Sequence, residues 1–427
     1  MSFACERLAR GRGRAFVGPD LSGRSPHGLG GSVARCAAQR LTGALWRHCC
    51  ESARELLWAR TCPDASARPE RAASRQVWTH KSPNPLAFPV PRAPCPVSVF
   101  SPPLRAAMNQ PKHEKYRALI DYCSDLTAEP CAIVHPCNAS SLAGAVRAGE
   151  LNLIVPILVG PRQRIEAVAR ESDLDISKLA LIDTPHSHAS AAKSAELVRE
   201  GQARMLMKGS LHTNELLEVV VSRDGGLRTE RRISHCFVMD VPVLDRVVII
   251  SDAAVNIFPT LAEKVDIVQN AINLAHALGN HEPLVAILSA TESVNPKIQS
   301  TLDAAALCKM ADRGQITGGL LDGPLALDNA VNLNAARIKE IDSPVAGRAD
   351  ILIAPDLEAG NMLAKSLSFM ADADAAGIVV GARVPIILTS RADSLETRLA
   401  SSAIAALVTR YRQLQLAKAV QGDPAKG

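Results

Sequence analysis

The chain has 427 residues, of which 47% are hydrophobic and 21% charged, and its formal net charge is +5. This hydrophobic fraction excludes a chain that is disordered throughout, and the longest apolar runs, such as 153–159, are far shorter than the roughly 20 residues of a membrane-spanning helix. Aromatic residues make up only 3% of the chain, which argues against base stacking, so neither a membrane nor a nucleic-acid partner is expected.

The first quarter of the chain has a composition of its own. Residues 1–107 contain 15 Arg and one Lys against six acidic residues, a net charge of +10, whereas the remaining 320 residues carry −5. Few periodic apolar positions and many prolines predict that this segment is mostly disordered. It is open to three interpretations: a targeting peptide, a basic nucleic-acid-binding arm, or a start codon assigned too early. We favour the last, because Met108 opens a hydrophilic stretch that leads into a helix.

The eleven cysteines show no pattern of a disulfide framework. Six of them lie in residues 1–107, and no Cys-x-x-Cys spacing occurs anywhere in the chain. The sequence therefore predicts no metal site.

From residue 108 onward, short apolar runs alternate with segments of helical length. The predicted strands are 131–135, 153–159, 179–182, 204–207, 246–251, 284–289, 319–322, 351–354, 377–380 and 384–388. The predicted helices between them include 138–149, 161–171, 187–201, 260–278, 297–313, 328–340, 359–371 and 393–416. The strands are apolar on both faces, as in parallel strands covered by helices. The pattern predicts an α/β fold with mostly parallel sheets in two domains, with a cleft between them.

Polar residues collect in the turns that follow the predicted strands. Ligands of open parallel sheets bind beyond the carboxyl ends of the strands, where these turns lie. The turns are 135–138, 207–213, 251–256, 321–324, 354–361 and 388–393. Each is a weak indication alone, because Ser or Asp after a strand is commonly a helix cap.

The last turn is the most informative. Ser390 and Arg391 follow a buried run and open the C-terminal helix. Free helix amides and a guanidinium together favour a doubly charged oxyanion such as phosphate. The alternative is a capping serine with a solvent-facing arginine.

Two further turns are suited to close ligand contact. Gly360 and Asn361 begin a helix, and a glycine there allows a ligand to approach the backbone, although an ordinary turn explains it as well. Lys208 and Gly209 suggest a phosphate or pantetheine contact, or else a plain tight turn. Neither a Walker motif nor Gly-x-Gly-x-x-Gly follows a strand, which disfavours nucleoside triphosphates and dinucleotides.

Six motifs in this order resemble the phosphate acetyltransferase and phosphate butyryltransferase family. They are Met207-Lys-Gly with Thr213, Ser251-Asp-Ala-Ala-Val-Asn256, Asp322-Gly-Pro-Leu-Ala-Leu-Asp328, Ser343-Pro-Val-Ala-Gly347, Pro355-Asp-Leu-Glu-Ala-Gly-Asn361 with Lys365, and Leu388-Thr-Ser-Arg391. The resemblance spans roughly 112–415. It implies two α/β/α domains of the isopropylmalate-dehydrogenase type in a homodimer. Domain 1 would comprise 108–245 and 376–427, and domain 2 would comprise 246–375.

The resemblance also implies a reaction, in which acyl-CoA and phosphate give acyl phosphate and CoA by direct attack in a ternary complex. It implies no metal and no tightly bound cofactor, with coenzyme A as substrate or product. Arg391 would hold phosphate and Ser390 would stabilise the oxyanion. This chain has Ser-Arg-Ala-Asp where the acetyl-type pattern has Ser-Arg-Gly with a later Asp. We therefore assign the base to Asp393, with Glu396 in reserve, and a purely capping Asp393 is the alternative.

The same resemblance assigns substrate binding to ten residues. They are Lys208, Gly209, Thr213, Ser234, Asp252, Asn256, Asp356, Gly360, Asn361 and Lys365. An acetyl substrate is the first expectation and a butyryl substrate the alternative, because one methylene changes binding by only about 1–3 kcal/mol. The use of coenzyme A and the lack of a secretory signal predict a cytoplasmic enzyme.

Three other functions were weighed. The same fold hosts metal- and NAD-dependent dehydrogenases, but neither a metal-binding Asp cluster nor a dinucleotide site is found at matching positions. A ping-pong acyltransferase could use Cys137 or Cys236, which have His135 and His235 nearby in sequence. A non-catalytic CoA-binding relative is the third.

Overall fold

A computed structural model describes residues 114–223, 226–390 and 393–421 of the chain. All of them belong to one compact unit, Pro91–Gly427. The predictions for 1–107 and for Arg391 lie outside the described residues. None of the helices in the described part is long and apolar enough to cross a membrane.

The described residues alternate between strands and helices, as the sequence predicts. The strands are β1 (Glu129–Val134), β2 (Ile154–Gly160), β3 (Ala180–Asp183), β4 (Met205–Lys208), β5 (Ser234–Asp240), β6 (Val247–Ser251), β7 (Leu284–Leu288), β8 (Leu320–Leu325), β9 (Ile351–Ile353), β10 (Asp374–Val380) and β11 (Ile386–Ile387). The helices are α1 (Glu114–Ser124), α2 (Ala139–Glu150), α3 (Arg162–Glu171), α4 (Ser187–Arg199), α5 (Thr213–Val221), α6 (Leu261–Ala277), α7 (Gln299–Asp312), α8 (Leu327–Val331), α9 (Leu333–Ile338), α10 (Leu357–Met370) and α11 (Leu395–Gln421).

The eleven described strands form one continuous sheet in the order β3-β2-β1-β4-β11-β10-β5-β6-β9-β7-β8. Strand β10 is antiparallel to both of its neighbours, and β5 is antiparallel to β10 and β6. The other pairs are parallel. The predicted α/β class with a mostly parallel sheet is therefore confirmed.

The predicted domain boundaries fall at the centre of this sheet. The boundary at 245/246 lies between β5 and β6, and the one at 375/376 lies within β10. The sheet runs through both positions without a break, and the division into two domains stays a prediction.

Strand β5 was missed by the sequence analysis because both of its ends are polar. Ser234, His235 and Asp240 are all fully buried in this central strand. Asp240 is tolerated there because its carboxylate accepts a hydrogen bond from the buried Lys115 ammonium at 2.8 Å. A buried charge that is paired in this way escapes the cost of an isolated one.

Local capping explains where several helices begin. The Thr260 side chain accepts from the Glu263 amide while Glu263 accepts from the Thr260 amide, a capping box at the start of α6. The predicted helix 328–340 is instead two helices, because Asn332 ends α8 and caps α9 by accepting from the amides of Asn334 and Ala335. Helix α11 packs against α1, α2, α6 and β10, so the C-terminal segment completes the core.

Candidate active site

The predicted site residues lie in two groups at opposite edges of the sheet. Strands β4 and β11 are parallel and end beside Lys208 and Ser390. Because β10 and β5 reverse direction, β6 and β9 end at the other edge, beside Asp252 and Asp356. Four strand spacings separate β4 from β6, a distance of about 19 Å. The six turns of the sequence analysis therefore do not form one cluster, and the two groups are called the Ser390 cluster and the Asp252 cluster.

In the Ser390 cluster, Asp393 folds back on the turn that contains Ser390. The Ser390 amide donates to Asp393 Oδ2 at 2.5 Å, and the Asp393 amide donates to the Ser390 carbonyl at 3.3 Å. Burial raises the pKa of the Asp393 carboxyl, while the Ser390 hydrogen bond and the charges of Arg398 and Lys208 oppose that rise. The carboxylate thus makes a capping contact and also has the raised pKa that suits a base.

Arg398 holds the same turn through two hydrogen bonds, and no sequence motif had pointed to this residue. Its Nη1 donates to Thr389 Oγ1 at 2.7 Å, and its Nη2 donates to the Ser390 carbonyl at 2.6 Å. The side chain is 6% exposed. Burial lowers the pKa of Arg398, and the Asp393 charge opposes this. The sequence did contain an indication that Arg398 is unusual, because this arginine comes directly before the long apolar stretch of α11.

Lys208 and Gly209 form the neighbouring wall of the cluster. Lys208 is 8% exposed, and its Nζ lies 3.4 Å from the Gly209 carbonyl oxygen. A Cβ at Gly209 would lie 2.4 Å from the Val134 carbonyl oxygen and 2.5 Å from that of His135. The turn after β4 therefore needs glycine to pack against the turn after β1. Thr213 is half-buried and begins α5.

The histidine and cysteine residues considered for covalent catalysis lie in buried surroundings. Burial raises the pKa of the Cys137 thiol and brings that of Cys236 to about 12. Burial also lowers the pKa of His135, and it lowers that of His235 to about 4. His135 Nδ1 lies 3.2 Å from Ser190 Oγ, so that nitrogen already has a partner. Neutral thiols are poor nucleophiles, and weakly basic imidazoles are poor bases for activating them.

In the Asp252 cluster, the carboxylate of Asp252 organises its own loop. It is 2% exposed and accepts from the amides of Ala254 and Val255 at 2.8 and 2.9 Å. It also accepts from the amides of Asn256 and His235, each at 3.3 Å. Burial raises the pKa of Asp252, and these hydrogen bonds oppose the rise.

The side chain of Asn256 likewise makes hydrogen bonds within the protein. Its Nδ2 donates to Asp252 and to the Ile233 carbonyl, and its Oδ1 accepts from Arg232 Nε at 2.8 Å. Ser234 Oγ is buried and accepts from Asn270 Nδ2 at 3.0 Å. The side chains of Asn256 and Ser234 therefore have structural partners in addition to the substrate contacts predicted for them.

The start of α10 packs against the Asp252 loop, which is formed by residues 252–256. Asp356 caps this helix by accepting from the Ala359 amide at 2.8 Å. A Cβ at Gly360 would lie 2.3 Å from the Asp252 carbonyl oxygen, and Asn361 Nδ2 donates to the Ala253 carbonyl at 2.9 Å. These contacts bring together four of the predicted site residues.

Two predicted residues, Lys365 and Glu396, take no part in the contacts described for either cluster. Lys365 is exposed on α10. Glu396 is exposed and lines a cavity of about 390 Å³ with residues of α1, including Tyr116 and Arg117. Within the described residues, no group of three or more His, Cys, Asp or Glu side chains could hold a metal ion.

Comparison with known proteins gives consistent similarities. Residues 186–406 match the family described as Phosphate acetyl/butaryl transferase. The chain is 60% identical over 304 residues to the phosphate acetyltransferase of Rhizobium meliloti, covering 71% of this chain and 96% of that protein. It is 44% identical over 265 residues to the phosphate butyryltransferase of Clostridium acetobutylicum, covering 62% and 88%. A branched-chain phosphotransacylase from Enterococcus faecalis V583 superposes with a TM-score of 0.58 at 30% identity, covering 66% and 99%. The resemblance inferred from the six motifs is confirmed.

Proposed function

The chain belongs to the phosphate acetyltransferase and butyryltransferase family and is an acyltransferase, and we propose that it interconverts acetyl-CoA and phosphate with acetyl phosphate and CoA. The observation that carries this choice is the 60% identity to a phosphate acetyltransferase across 96% of that protein. A butyryl substrate is the second candidate, favoured by the 44% identity to a phosphate butyryltransferase.

The proposed step is a direct displacement at the thioester. An oxygen of hydrogen phosphate attacks the carbonyl carbon, a tetrahedral oxyanion forms and the carbon–sulfur bond breaks. The thiolate of CoA leaves and takes up the proton that the phosphate gives up. Ser390 donates a hydrogen bond to the oxyanion, and Arg391 holds the phosphate. In the reverse direction Asp393 removes the proton from the CoA thiol, because the thiolate is the nucleophile.

The geometry of the Ser390 cluster supports these assignments. Burial raises the pKa of Asp393, which strengthens it as a base, and its carboxylate lies on the turn that carries Ser390. Lys208 adds a positive charge near this carboxylate. Arg398 is a positioning residue here, because its two hydrogen bonds fix Thr389 and the Ser390 carbonyl.

CoA is a long, flexible molecule, so one end of it can contact the Ser390 cluster while another part contacts a separate group of residues. We assign its reacting end to the Ser390 cluster, with Lys208, Gly209 and Thr213. We assign more distant contacts to the start of α10, with Gly360 and Asn361, and to the exposed Lys365 of the same helix. Asp252, Asn256 and Asp356 hold this helix start and the loop beside it through the hydrogen bonds described above, and Ser234 lies in the neighbouring strand β5.

A homodimer is proposed from one exposed apolar surface. Helix α10 exposes Met362, Phe369 and Met370. The loop between β6 and α6 exposes Ile257 and Phe258, and it contacts the start of α10, where the Leu357 amide donates to the Ile257 carbonyl at 3.1 Å. Exposed apolar side chains grouped in this way are typical of protein interfaces. Light scattering should give the mass of two chains, and Phe369→Glu combined with Met370→Glu should give one.

A cytoplasmic location is proposed because the reaction uses acetyl-CoA and CoA. The five described cysteines, Cys123, Cys131, Cys137, Cys236 and Cys308, are free thiols, which suits a reducing compartment.

The choice of acyl group is tested by measuring CoA release with phosphate and each of acetyl-, propionyl- and butyryl-CoA. The proposal predicts that kcat/KM is highest for acetyl-CoA. A higher kcat/KM for butyryl-CoA would establish the second candidate.

A further inference from the structure

A cavity of about 670 Å³ lies between α6, α11 and the end of β10. Its volume falls within the range of about 300–1,000 Å³ that is usual for small-molecule sites. It is lined by Thr229, Glu230, Arg231, Asn270, Asn273, Leu274, Val380, Gly381, Ala382, Arg383, Val408, Tyr411, Arg412, Gln415 and Leu416. None of these residues was predicted to bind a substrate.

The walls of this cavity are strongly basic. Arg231, Arg383 and Arg412 line it, and Glu230 is the one acidic residue of the lining. Among the described residues, no carboxylate lies within ion-pair distance of these three arginines. Within the described residues these guanidinium groups therefore have no carboxylate partner, and Arg383 and Arg412 donate instead to the backbone carbonyls of Gly226 and Ala382.

Arg412 is the arginine of this cavity whose pKa is lowered by its surroundings. Burial lowers its pKa, and the like charge of Arg231 lowers it further. Its Nη1 donates to the Ala382 carbonyl at 2.8 Å, which holds the guanidinium against the cavity wall. A half-buried guanidinium next to a like charge is stabilised when an anion binds between them.

The backbone around the cavity is held in place by hydrogen bonds. Thr229 Oγ1 donates to the Gly381 carbonyl at 2.6 Å, and the Arg383 amide donates to the Leu227 carbonyl at 2.9 Å. Gly381 has a φ of +90°, and a Cβ there would lie 2.4 Å from the Arg232 carbonyl oxygen. This packing brings the loop with Arg231 against the turn with Arg383, so the backbone that carries these two exposed arginines is fixed.

The cavity is separate from the Ser390 cluster. Ile378 of β10 pairs with Ile387 of β11, and the two strands run in opposite directions. Ser390 therefore lies beyond one end of this pairing, and Gly381 to Arg383 lie beyond the other. About six residues of strand separate their levels, or roughly 20 Å.

The first 107 residues are an unsuitable occupant for this cavity. Their net charge is +10, so they would be repelled by the three arginines. The volume also exceeds what a single inorganic phosphate would fill. Tyr411, Leu274 and Val408 offer apolar surface for an organic group beside the charges.

We propose that this cavity is a second binding site, distinct from the acyl-transfer site, for a small phosphorylated organic anion. The guanidinium groups of Arg231, Arg383 and Arg412 bind its phosphate oxygens, since their planar donors match the geometry of phosphate. The organic part of the ligand packs against Tyr411 and the neighbouring apolar side chains.

Calorimetry on the full-length chain tests this proposal, with ADP as the probe and adenosine as its uncharged counterpart. ADP is titrated without CoA and again with saturating CoA, because CoA fills its own site and, as a phosphorylated organic anion, can also compete in the cavity. The expected result is one bound ADP per chain that depends on the arginines of the cavity, and no binding of adenosine. Arg412→Gln and Arg231→Gln should each weaken ADP binding at least 10-fold, and Arg412→Lys should weaken it less.

Arg410→Gln is the matched control, because Arg410 is an exposed arginine on the same helix outside the cavity. It should leave ADP binding unchanged, and all variants should retain the acyltransferase rate of the wild type. Absence of ADP binding in the titration without CoA, or equal ADP binding by wild type and Arg412→Gln in both titrations, would overturn the proposal. Acyltransferase assays on the same samples test the proposed function separately.

Discussion

The guanidinium of Arg398 donates a hydrogen bond to the carbonyl of Ser390 at 2.6 Å, from a position eight residues later in the chain. A second hydrogen bond joins it to Thr389 Oγ1 at 2.7 Å. Because β11 ends just before Thr389, these two bonds determine how the chain leaves the sheet. The direction of the Ser390 hydroxyl therefore depends on a buried arginine that need not touch the substrate.

Replacing Arg398 by Lys should lower kcat about 10- to 100-fold, because one ammonium cannot make both hydrogen bonds and small displacements of catalytic groups are costly. The KM for acyl-CoA should change less than kcat. Arg410→Lys, on the exposed face of the same helix, is the control and should behave as wild type. Steady-state kinetics on both variants provides the test, and an unchanged kcat in Arg398→Lys would remove the positioning role.

Asp393→Asn should lower kcat about 100-fold or more in the direction of acetyl-CoA synthesis, as for loss of a general base. Asn retains an oxygen that can accept from the Ser390 amide, so the capping contact survives this substitution. A small change in kcat would therefore mean that Asp393 only caps the turn.

The pH dependence of that reaction provides a separate prediction about Asp393. The base must be ionised to act, and burial raises its pKa, so kcat should fall on the acidic side at a pH above the usual carboxyl range of about 4. Lys208 lowers this pKa by its charge, so Lys208→Met should move the acidic fall to higher pH. A shift to lower pH in this variant would contradict the assignment.

The covalent alternative makes the opposite prediction for the cysteines. Cys137→Ala and Cys236→Ala should each keep the wild-type kcat, because direct attack uses no thiol. The Cys236 side chain is fully buried, so its removal should lower the free energy of unfolding by about 1 kcal/mol. Initial rates and chemical denaturation separate the two effects, and loss of activity in a stable variant would restore the ping-pong mechanism.

Gly360→Ala tests the contact between α10 and the Asp252 loop. The added Cβ would lie 2.3 Å from the Asp252 carbonyl oxygen, so helix and loop must separate. We expect a loss of about 1–3 kcal/mol in stability and a raised KM for CoA. Ser366→Ala, at an exposed position of the same helix, should change neither quantity.

The sequence was sufficient for the fold class because the short runs are apolar on both faces and several helices between them carry clear start signals. It failed at β5, where Ser234 and Asp240 are polar yet buried. Their partners, Asn270 and Lys115, are distant in sequence, so no local pattern could indicate that they would be satisfied. Tertiary partners of this kind override local composition.

For the site, too, the sequence indicated local features but not those that depend on distant parts of the chain. Motifs placed Ser390 and Asp393 in one turn, and a hydrogen bond joins the two residues in the structure. The sequence suggested ligand contacts at Gly209 and Gly360, whereas in the structure both glycines pack against backbone carbonyls of a neighbouring turn. The motifs could not reveal that the turns after β4 and β6 lie at opposite edges. That arrangement depends on the antiparallel pairing of β5 and β10, and β5 was not predicted.

The most direct test of the central claim is the product balance of the full-length chain with acetyl-CoA. The account predicts that CoA is released only when phosphate is present, and that one acetyl phosphate forms for each CoA. Ser390→Ala should lower this rate about 100-fold, as for loss of an oxyanion donor. Release of CoA without phosphate, or without acetyl phosphate as its partner product, would contradict the account.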